Sequence, residues 1–419
     1  MNSSDLSLQR RWWIVVLLSA SIGINLVDRQ VLSVVAPVLR QQLSLTNTQY
    51  SYIILAFQLG LLLAQVPAGV FLDVIGPRLG FIAIFVSWSV TNGLHALSRG
   101  VASLCGLRFL LGVSECGDYS GGIKVIAEMF PAENRAMAGG IFNGGAQLGA
   151  VIAPPLVVLI TIHWGWRAAF LLPSALGLLW LLPWLALYPR SAAKNPNPAA
   201  ARRAFNLRPG FLRAKKLLRN RQVLGVMLFR ASTGPLTSFY WYWLPEYLRF
   251  GRGMPFVEIG LVAWMPYIAG AFGNVAGGYV SDFMIKRGTS VDGARKASFI
   301  FGAALSSLSL TLPFIGSMTL AITAICVIVL GNQWMVASYI GMMGDLFPSE
   351  IVATVNGLGG VADSGVGMVA MLLTGIVIDH FSYMPVLIAA GVLPVISVLA
   401  VVLVIRRIAR VEMSFDAAL

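Results

Sequence analysis

Long apolar stretches separated by short polar clusters run along the whole chain. Read against the breaks, they predict helical spans near 12–38, 50–76, 79–98, 101–129, 137–161, 167–188, 222–249, 256–285, 296–315, 318–346, 352–379 and 384–406. Each approaches or exceeds the roughly 20 residues that carry a helix across the hydrocarbon layer of a bilayer. The grouping is six, a polar connector, then six. The chain therefore reads as an all-α membrane protein of twelve transmembrane helices, with an N-terminal half over 1–189, a basic linker over 190–221 and a C-terminal half over 222–419.

Composition agrees with that pattern. Of 419 residues, 57% are hydrophobic and 11% charged, against roughly 45–50% and about 25% in soluble domains. A soluble enzyme is excluded, and twelve spans leave no length for a large appended domain. The run from Arg10 and Arg11 past Asp28 to about Val35 is too long for the apolar core of a signal peptide, so it is expected to stay as the first span.

The net charge of +13 raises the question of nucleic acid, and its location answers it. Ten Lys and Arg lie between Arg190 and Arg221 without an Asp or Glu, which leaves +3 for the rest of the chain. A cytoplasmic topology signal explains this better than a nucleic-acid face. Arg10, Arg11, Arg78, Arg135, the linker, Lys286, Arg287, Arg295, Lys296, Arg406, Arg407 and Arg410 all fall on one side, so both termini are expected in the cytoplasm. Within the linker, Phe211, Leu212, Leu217 and Leu218 among basic residues predict a short amphipathic helix lying on lipid of the inner leaflet.

The halves repeat. Glu128-Met129-Phe130-Pro131-Ala132-Glu133 recurs 217 residues later as Asp345-Leu346-Phe347-Pro348-Ser349-Glu350, and Gly69 to Asp73 is echoed 209 residues on by Gly278 to Asp282. Offsets near half the chain suggest parallel repeats about an axis along the membrane normal, with a substrate site expected near the bilayer midplane.

Chemistry is carried by the residues that are costly in lipid. A charge at mid-span costs on the order of 2.5–3.5 kcal/mol, so each needs a partner, a wet cavity or a function. The first span holds Asn25, Asp28 and Arg29; the fourth holds Arg108 and Glu115, seven positions apart on one helical face. Two acids beside two arginines can be a mutually neutralising set, or can carry protons and bind an anion. Asp118, one turn beyond Glu115, either raises its proton affinity by like-charge repulsion or faces a watery entrance. In the second half, Gln333 and Trp334 are placed to contact a ligand, with helix packing as the alternative, and Asp363 and Arg230 are further charges in spans. Trp241, Tyr242 and Trp243 read as interfacial anchors. His95, His163 and His380 lack ligand spacing, the three cysteines read as core residues, and neither a metal nor a cofactor is expected. Without a nucleotide-binding loop, the energy source is expected to be an ion gradient or the substrate itself.

Gly69-x-x-x-Asp73-x-x-Gly76-x-Arg78 resembles the loop signature of the major facilitator superfamily, with Val74 where an Arg is usual. Within it, Asn25-Leu26-Val27-Asp28-Arg29, Leu107-Arg108-Phe109-x-x-Gly112-x-x-Glu115 and Phe130-Pro131-x-Glu133-x-Arg135 are similar to the anion:cation symporter family. Gln49-Tyr50-Ser51-Tyr52-Ile53, Ala56-Phe57-Gln58-Leu59 and Ala263-Trp264-Met265-Pro266 look most like its bacterial hexuronate permeases.

The resemblance implies a monomeric inner-membrane transporter that imports a hexuronate such as glucuronate or galacturonate with protons. It implies Asp28 and Glu115 as protonation sites, Arg29 as the ligand of the substrate carboxylate, Arg108 as the partner that tunes Glu115, and Gln147 near a substrate-binding Gln. Asn25, Gln333, Trp334 and Asp363 complete the expected substrate site, and Gly69, Asp73, Gly76 and Arg78 a cytoplasmic gate. Leu61 and Gly117-Asp118-Tyr119 depart from the hexuronate pattern, which keeps galactonate, glucarate, a dicarboxylate or an aromatic acid open as substrates. A proton-driven drug exporter is disfavoured because the fifth span lacks the Gly-Pro-x-x-Gly-Gly-like signature.

Overall fold

The computed structural model describes residues 7–130, 132–189, 217–347 and 349–410. All twelve expected spans are helical. Eight helical stretches among the described residues are long and apolar enough, by length and composition, to cross a membrane.

Local chemistry sets the ends. Helix α1 (Leu8–Leu43) starts where the Ser7 hydroxyl accepts the Arg10 amide and stops at Ser44, which adopts a left-handed conformation. Its C-terminus runs past the expected limit near 38, and the added turn carries Arg40, which pairs with the buried Glu246. Helix α2 (Asn47–Ile75) opens on a reciprocal capping box between Thr46 and Gln49. It closes at Gly76, whose φ of 82° suits glycine, and Pro77 then begins α3 (Pro77–Leu94).

The fourth span divides at Cys116 into α4 (Val101–Glu115) and α5 (Gly117–Met129). The fifth and sixth run on as α6 (Ala132–Leu187), broken only at Gly165 with φ 80°. Next come α7 (Arg221–Tyr242), a short helical stretch and a π-helical turn over Tyr247–Gly251, α8 (Phe256–Val262), α9 (Met265–Lys286) and α10 (Val291–Ser306). The chain ends with α11 (Met318–Leu346), α12 (Ser349–His380) and α13 (Tyr383–Leu399). Of the expected linker helix, Phe211 and Leu212 lie outside the described residues, while Leu217 is buried and Leu218 exposed.

The helices form two compact units. The first is built on the N-terminal helices and includes Trp241–Trp264 and Met371–His380; the second takes the rest of the C-terminal helices. The first has an aromatic core in which Phe85 stacks on Trp180 at 4.0 Å and Trp184 on Tyr188 at 4.4 Å. In the second, Phe229, Phe299, Met335 and Tyr339 are buried together, with Phe229 stacked on Tyr339.

In the first unit, α1 meets α6 so closely that a Cβ on Gly145 would lie 1.9 Å from the Ser19 carbonyl oxygen. Likewise a Cβ on Gly112 of α4 would lie 2.3 Å from the Phe57 carbonyl oxygen of α2. These contacts need glycine; the first sets α1 against α6, which among the described residues carries no charge near it, and the second sets α2 and its Phe57 against α4.

Candidate functional site

In the first unit, α1, α3, α4 and α5 contribute to one buried cluster of charge. Asp28 is fully buried and held from α3: Trp88 Nε1 donates to one carboxylate oxygen and Asn92 Nδ2 donates to the other at 2.6 Å. Both partners are nitrogen donors, so both oxygens act as acceptors. One turn of α3 separates Trp88 from Asn92, which places them on the same helical face.

Glu115 is buried at the end of α4, and its Oε2 accepts from Arg29 Nε of α1 at 2.7 Å. The hydrogen-bonded partner of Glu115 is thus Arg29, while Arg108 acts on the same carboxylate through its charge, without a hydrogen bond to it. On a helix both Arg108 and Glu115 lean toward the N-terminus, and seven residues separate them by about 10.5 Å along the axis. The Arg108 guanidinium therefore lies near Glu115 without bonding to it. It lies 5.8 Å from the Phe57 ring and 6.0 Å from the Phe170 ring, with Nε and Nη2 lacking a hydrogen-bond partner among the described residues.

Arg29 approaches the same Phe57 ring at 5.6 Å. One buried phenyl thus borders both arginines and limits their access to water, which strengthens their fields. The Arg29 side chain keeps 29% of its surface exposed and that of Glu115 none, so an anion arriving from water meets the arginine first. Asn25 is buried beside Glu115. Gln58 donates to the Tyr242 hydroxyl at 3.3 Å.

Asp118 is 1% exposed, which removes the watery-entrance alternative. Its Oδ1 lies 3.0 Å from the Ser21 hydroxyl. Gln147 is exposed on α6. Two of the three aromatics read as anchors have inward roles: Trp243 is fully buried edge-on to Tyr50, and Tyr242 receives the Gln58 amide. His95 is also buried, stacked on Phe170.

The second unit holds a separate polar cluster. Arg230 of α7 pairs with Asp363 of α12, and its guanidinium lies 5.5 Å from the Tyr339 ring. The Tyr339 hydroxyl donates to Asn356 at 2.9 Å. Asp363 is therefore neutralised by a cation of its own unit. Trp334 takes the packing alternative: its indole N–H donates to Ser298 at 2.8 Å and its ring lies against Phe301. Gln333 is half-buried, with its aliphatic stem near Gly270, and Asn332 donates to Thr237 at 2.7 Å.

Of the expected gate, Gly76 makes the α2–α3 turn, and Arg78 donates to the carbonyls of Tyr188 and, at 3.0 Å, Leu185. The side chains at Gly69 and Asp73 lie outside the described set. Sequence reasoning missed Phe57, Trp88, Asn92 and Ser21 as neighbours of the charges. The i, i+4 placement of Trp88 and Asn92 was the one signal available for any of them.

The sequence model of the Major Facilitator Superfamily matches residues 18–291. The chain belongs to that superfamily. As a superfamily member it is a multi-pass membrane transporter and not an enzyme. It is 28% identical to the hexuronate transporter of Escherichia coli strain K12 over 414 residues, 96% of each chain. It is 27% identical to the probable galactarate/D-glucarate transporter of the same strain over 433 residues, again 96% of each. Among solved structures, a bacterial homologue of the human lysosomal transporter Spinster, inward-facing and occupied, superposes with a TM-score of 0.75 at 16% identity over 96% of each chain. That likeness shows the fold.

Proposed function

We propose that this superfamily member imports a sugar acid of the hexuronate type, together with protons, across the bacterial inner membrane. The observation that carries the reading is the Arg29–Glu115 pair. The substrate carboxylate and the Glu115 carboxylate want the same guanidinium, and a proton decides between them. While Glu115 is ionised it holds Arg29. When Glu115 is protonated the charge-assisted bond is lost, and Arg29 turns to the carboxylate of the arriving anion. Proton and anion then load together, which is the logic of symport.

Asp28 is the second proton site. A proton there weakens the bonds from Trp88 and Asn92, because a neutral carboxyl accepts less strongly than a carboxylate. Loading Asp28 therefore loosens the α1–α3 contact and ties protonation to helix movement. Arg108 supplies positive potential within the same cluster. Alternating access between the two sequence halves completes the cycle.

The hexuronate assignment is supported by the hexuronate transport of the first Escherichia coli relative and by the sugar-acid activity of the second. A counterflow panel tests it. Exchange of labelled glucuronate is expected to be inhibited strongly by galacturonate, less by galactonate and glucarate, and not by glucose. Inhibition by glucose equal to that by galacturonate, or no exchange at all by folded protein, would sink the assignment.

A further inference from the structure

Tyr242 is a polar group beside the charged cluster of the first unit, and neither the Arg29–Glu115 pair nor Asp28 gives it a task. It is the last residue of α7 and belongs to the first unit with the stretch Trp241–Trp264. The closing carbonyls of a helix have no amide partner within it. Here side chains take them up: the Ser33 hydroxyl of α1 donates to the Trp241 carbonyl at 3.0 Å, and the Tyr50 hydroxyl of α2 donates to the Tyr242 carbonyl at 2.8 Å. Two helices thus fix the backbone that carries the Tyr242 ring.

The side chain reaches the charges. It lies within electrostatic range of Arg29, Arg108 and Glu115. An interfacial anchor turns its hydroxyl to lipid headgroups, whereas this hydroxyl accepts from the Gln58 amide at 3.3 Å. Gln58 directly follows Phe57, the ring that borders both arginines.

A hydrogen count shows what this pair has left. A phenol hydroxyl has one hydrogen to donate, and a carboxamide has an acceptor oxygen besides its N–H groups. Tyr242 has accepted from Gln58, and its own hydrogen has no acceptor among the described residues. Gln58 Oε1 likewise has no donor there. Neither atom is sealed from water, and both residues are half-buried, as Arg29 is. One unused donor and one unused acceptor on neighbouring side chains match an alcohol hydroxyl, which donates once and accepts besides. A sugar acid carries such a hydroxyl close to its carboxylate, on C2 of an aldonate or aldarate and on C4 in the ring form of a hexuronate. An unsubstituted carboxylic acid has none.

We propose that Tyr242 is a specificity-determining residue of this transporter. With the substrate carboxylate on Arg29, the Tyr242 hydroxyl donates to the sugar-acid hydroxyl nearest that carboxylate, and the same substrate hydroxyl donates to Gln58 Oε1. Arg29 reads the charge, and Tyr242 with Gln58 selects hydroxy acids over plain carboxylates. This rests on the sugar-acid reading above and names the group that recognises the sugar part. Water replaces a missing substrate hydroxyl at half-buried groups, so the discrimination is that of one neutral hydrogen bond, about 2- to 12-fold in affinity.

The test measures binding to the full chain in detergent by the rise of unfolding temperature with ligand concentration. The ligands are glucuronate and 4-deoxyglucuronate, which lacks the hydroxyl nearest the carboxylate. Native protein is expected to bind glucuronate about 2- to 12-fold more tightly than the deoxy acid. Tyr242→Phe keeps the ring and the backbone contacts, so glucuronate should weaken toward the level of 4-deoxyglucuronate while the deoxy acid is unchanged. A purely structural role would weaken both alike. Equal affinity of native protein for the two acids, or a Tyr242→Phe effect that is the same for both, would overturn the proposal. If Tyr242→Phe does not fold, Gln58→Met decides by the same comparison. Native protein that binds neither hexuronate sinks the hexuronate assignment, and galactonate with 2-deoxygalactonate then carries the comparison, with the same loss of preference in Tyr242→Phe upholding the proposal. Native protein that binds no sugar acid overturns both.

Discussion

Arg29 and Glu115 lie on different helices, and the bond between them at 2.7 Å is the switch on which the proposed coupling turns. Replacing Arg29 by Lys keeps the charge but loses the planar fork that matches a carboxylate. A lost charge-assisted bond of about 1.5–3 kcal/mol corresponds to about a 10- to 150-fold weaker KM for the anion. Concentration-dependent counterflow measures this, and an unchanged KM would contradict the assignment. At Asp28, Trp88→Phe removes one of two donors from a buried carboxylate and is expected to destabilise the protein by about 1–3 kcal/mol. Thermal unfolding in detergent would register it. The charged residues themselves were legible in the sequence, because a charge in an apolar span demands a reason. Their pairing was not. The family resemblance suggested Arg108 with Glu115, whereas the hydrogen-bonded pair joins Glu115 to Arg29 on another helix.

At the scale of elements, the close approach of α2 and α4 positions Phe57 beside both arginines. Gly112→Ala would place a methyl 2.3 Å from a backbone oxygen, and the helices must separate, at about 1–3 kcal/mol. Gly144→Ala serves as the control, since a Cβ there meets nothing within 4 Å. A lowered unfolding temperature is expected for the first and not the second; equal effects would show that the contact is not limiting. Apolar periodicity predicted the spans because a bilayer requires nearly continuous apolar helices. It did not predict the division at Cys116 or the π-helical turn over Tyr247–Gly251. Among the many glycines, sequence spacing alone could not separate Gly145, which touches backbone, from Gly144, which does not.

For the molecule as a whole, the first unit includes pieces from both halves of the sequence. Glu246 is fully buried against Arg40, and Asp379 accepts from the Asn47 and Thr48 amides at 2.9 and 2.7 Å, tying a late helix to the start of α2. The charge distribution along the sequence predicts that Arg40 lies on the face opposite the termini. Glu246→Ala would strand the Arg40 guanidinium and destabilise the unit by about 3–5 kcal/mol. An unfolding temperature within error of native would contradict that. Glu246 was visible as a charge near the end of the seventh span, but no local pattern linked it to a residue 206 positions earlier.

The most direct test of the account is uptake of labelled glucuronate into proteoliposomes under an inward proton gradient, run in parallel for native protein and Glu115→Gln. The substitution puts a permanently neutral amide in place of the carboxylate, so Arg29 is always free for substrate. Exchange without a gradient should therefore survive while gradient-driven accumulation is lost. Equal accumulation by both proteins would contradict the claim that a proton on Glu115 releases Arg29 to the anion.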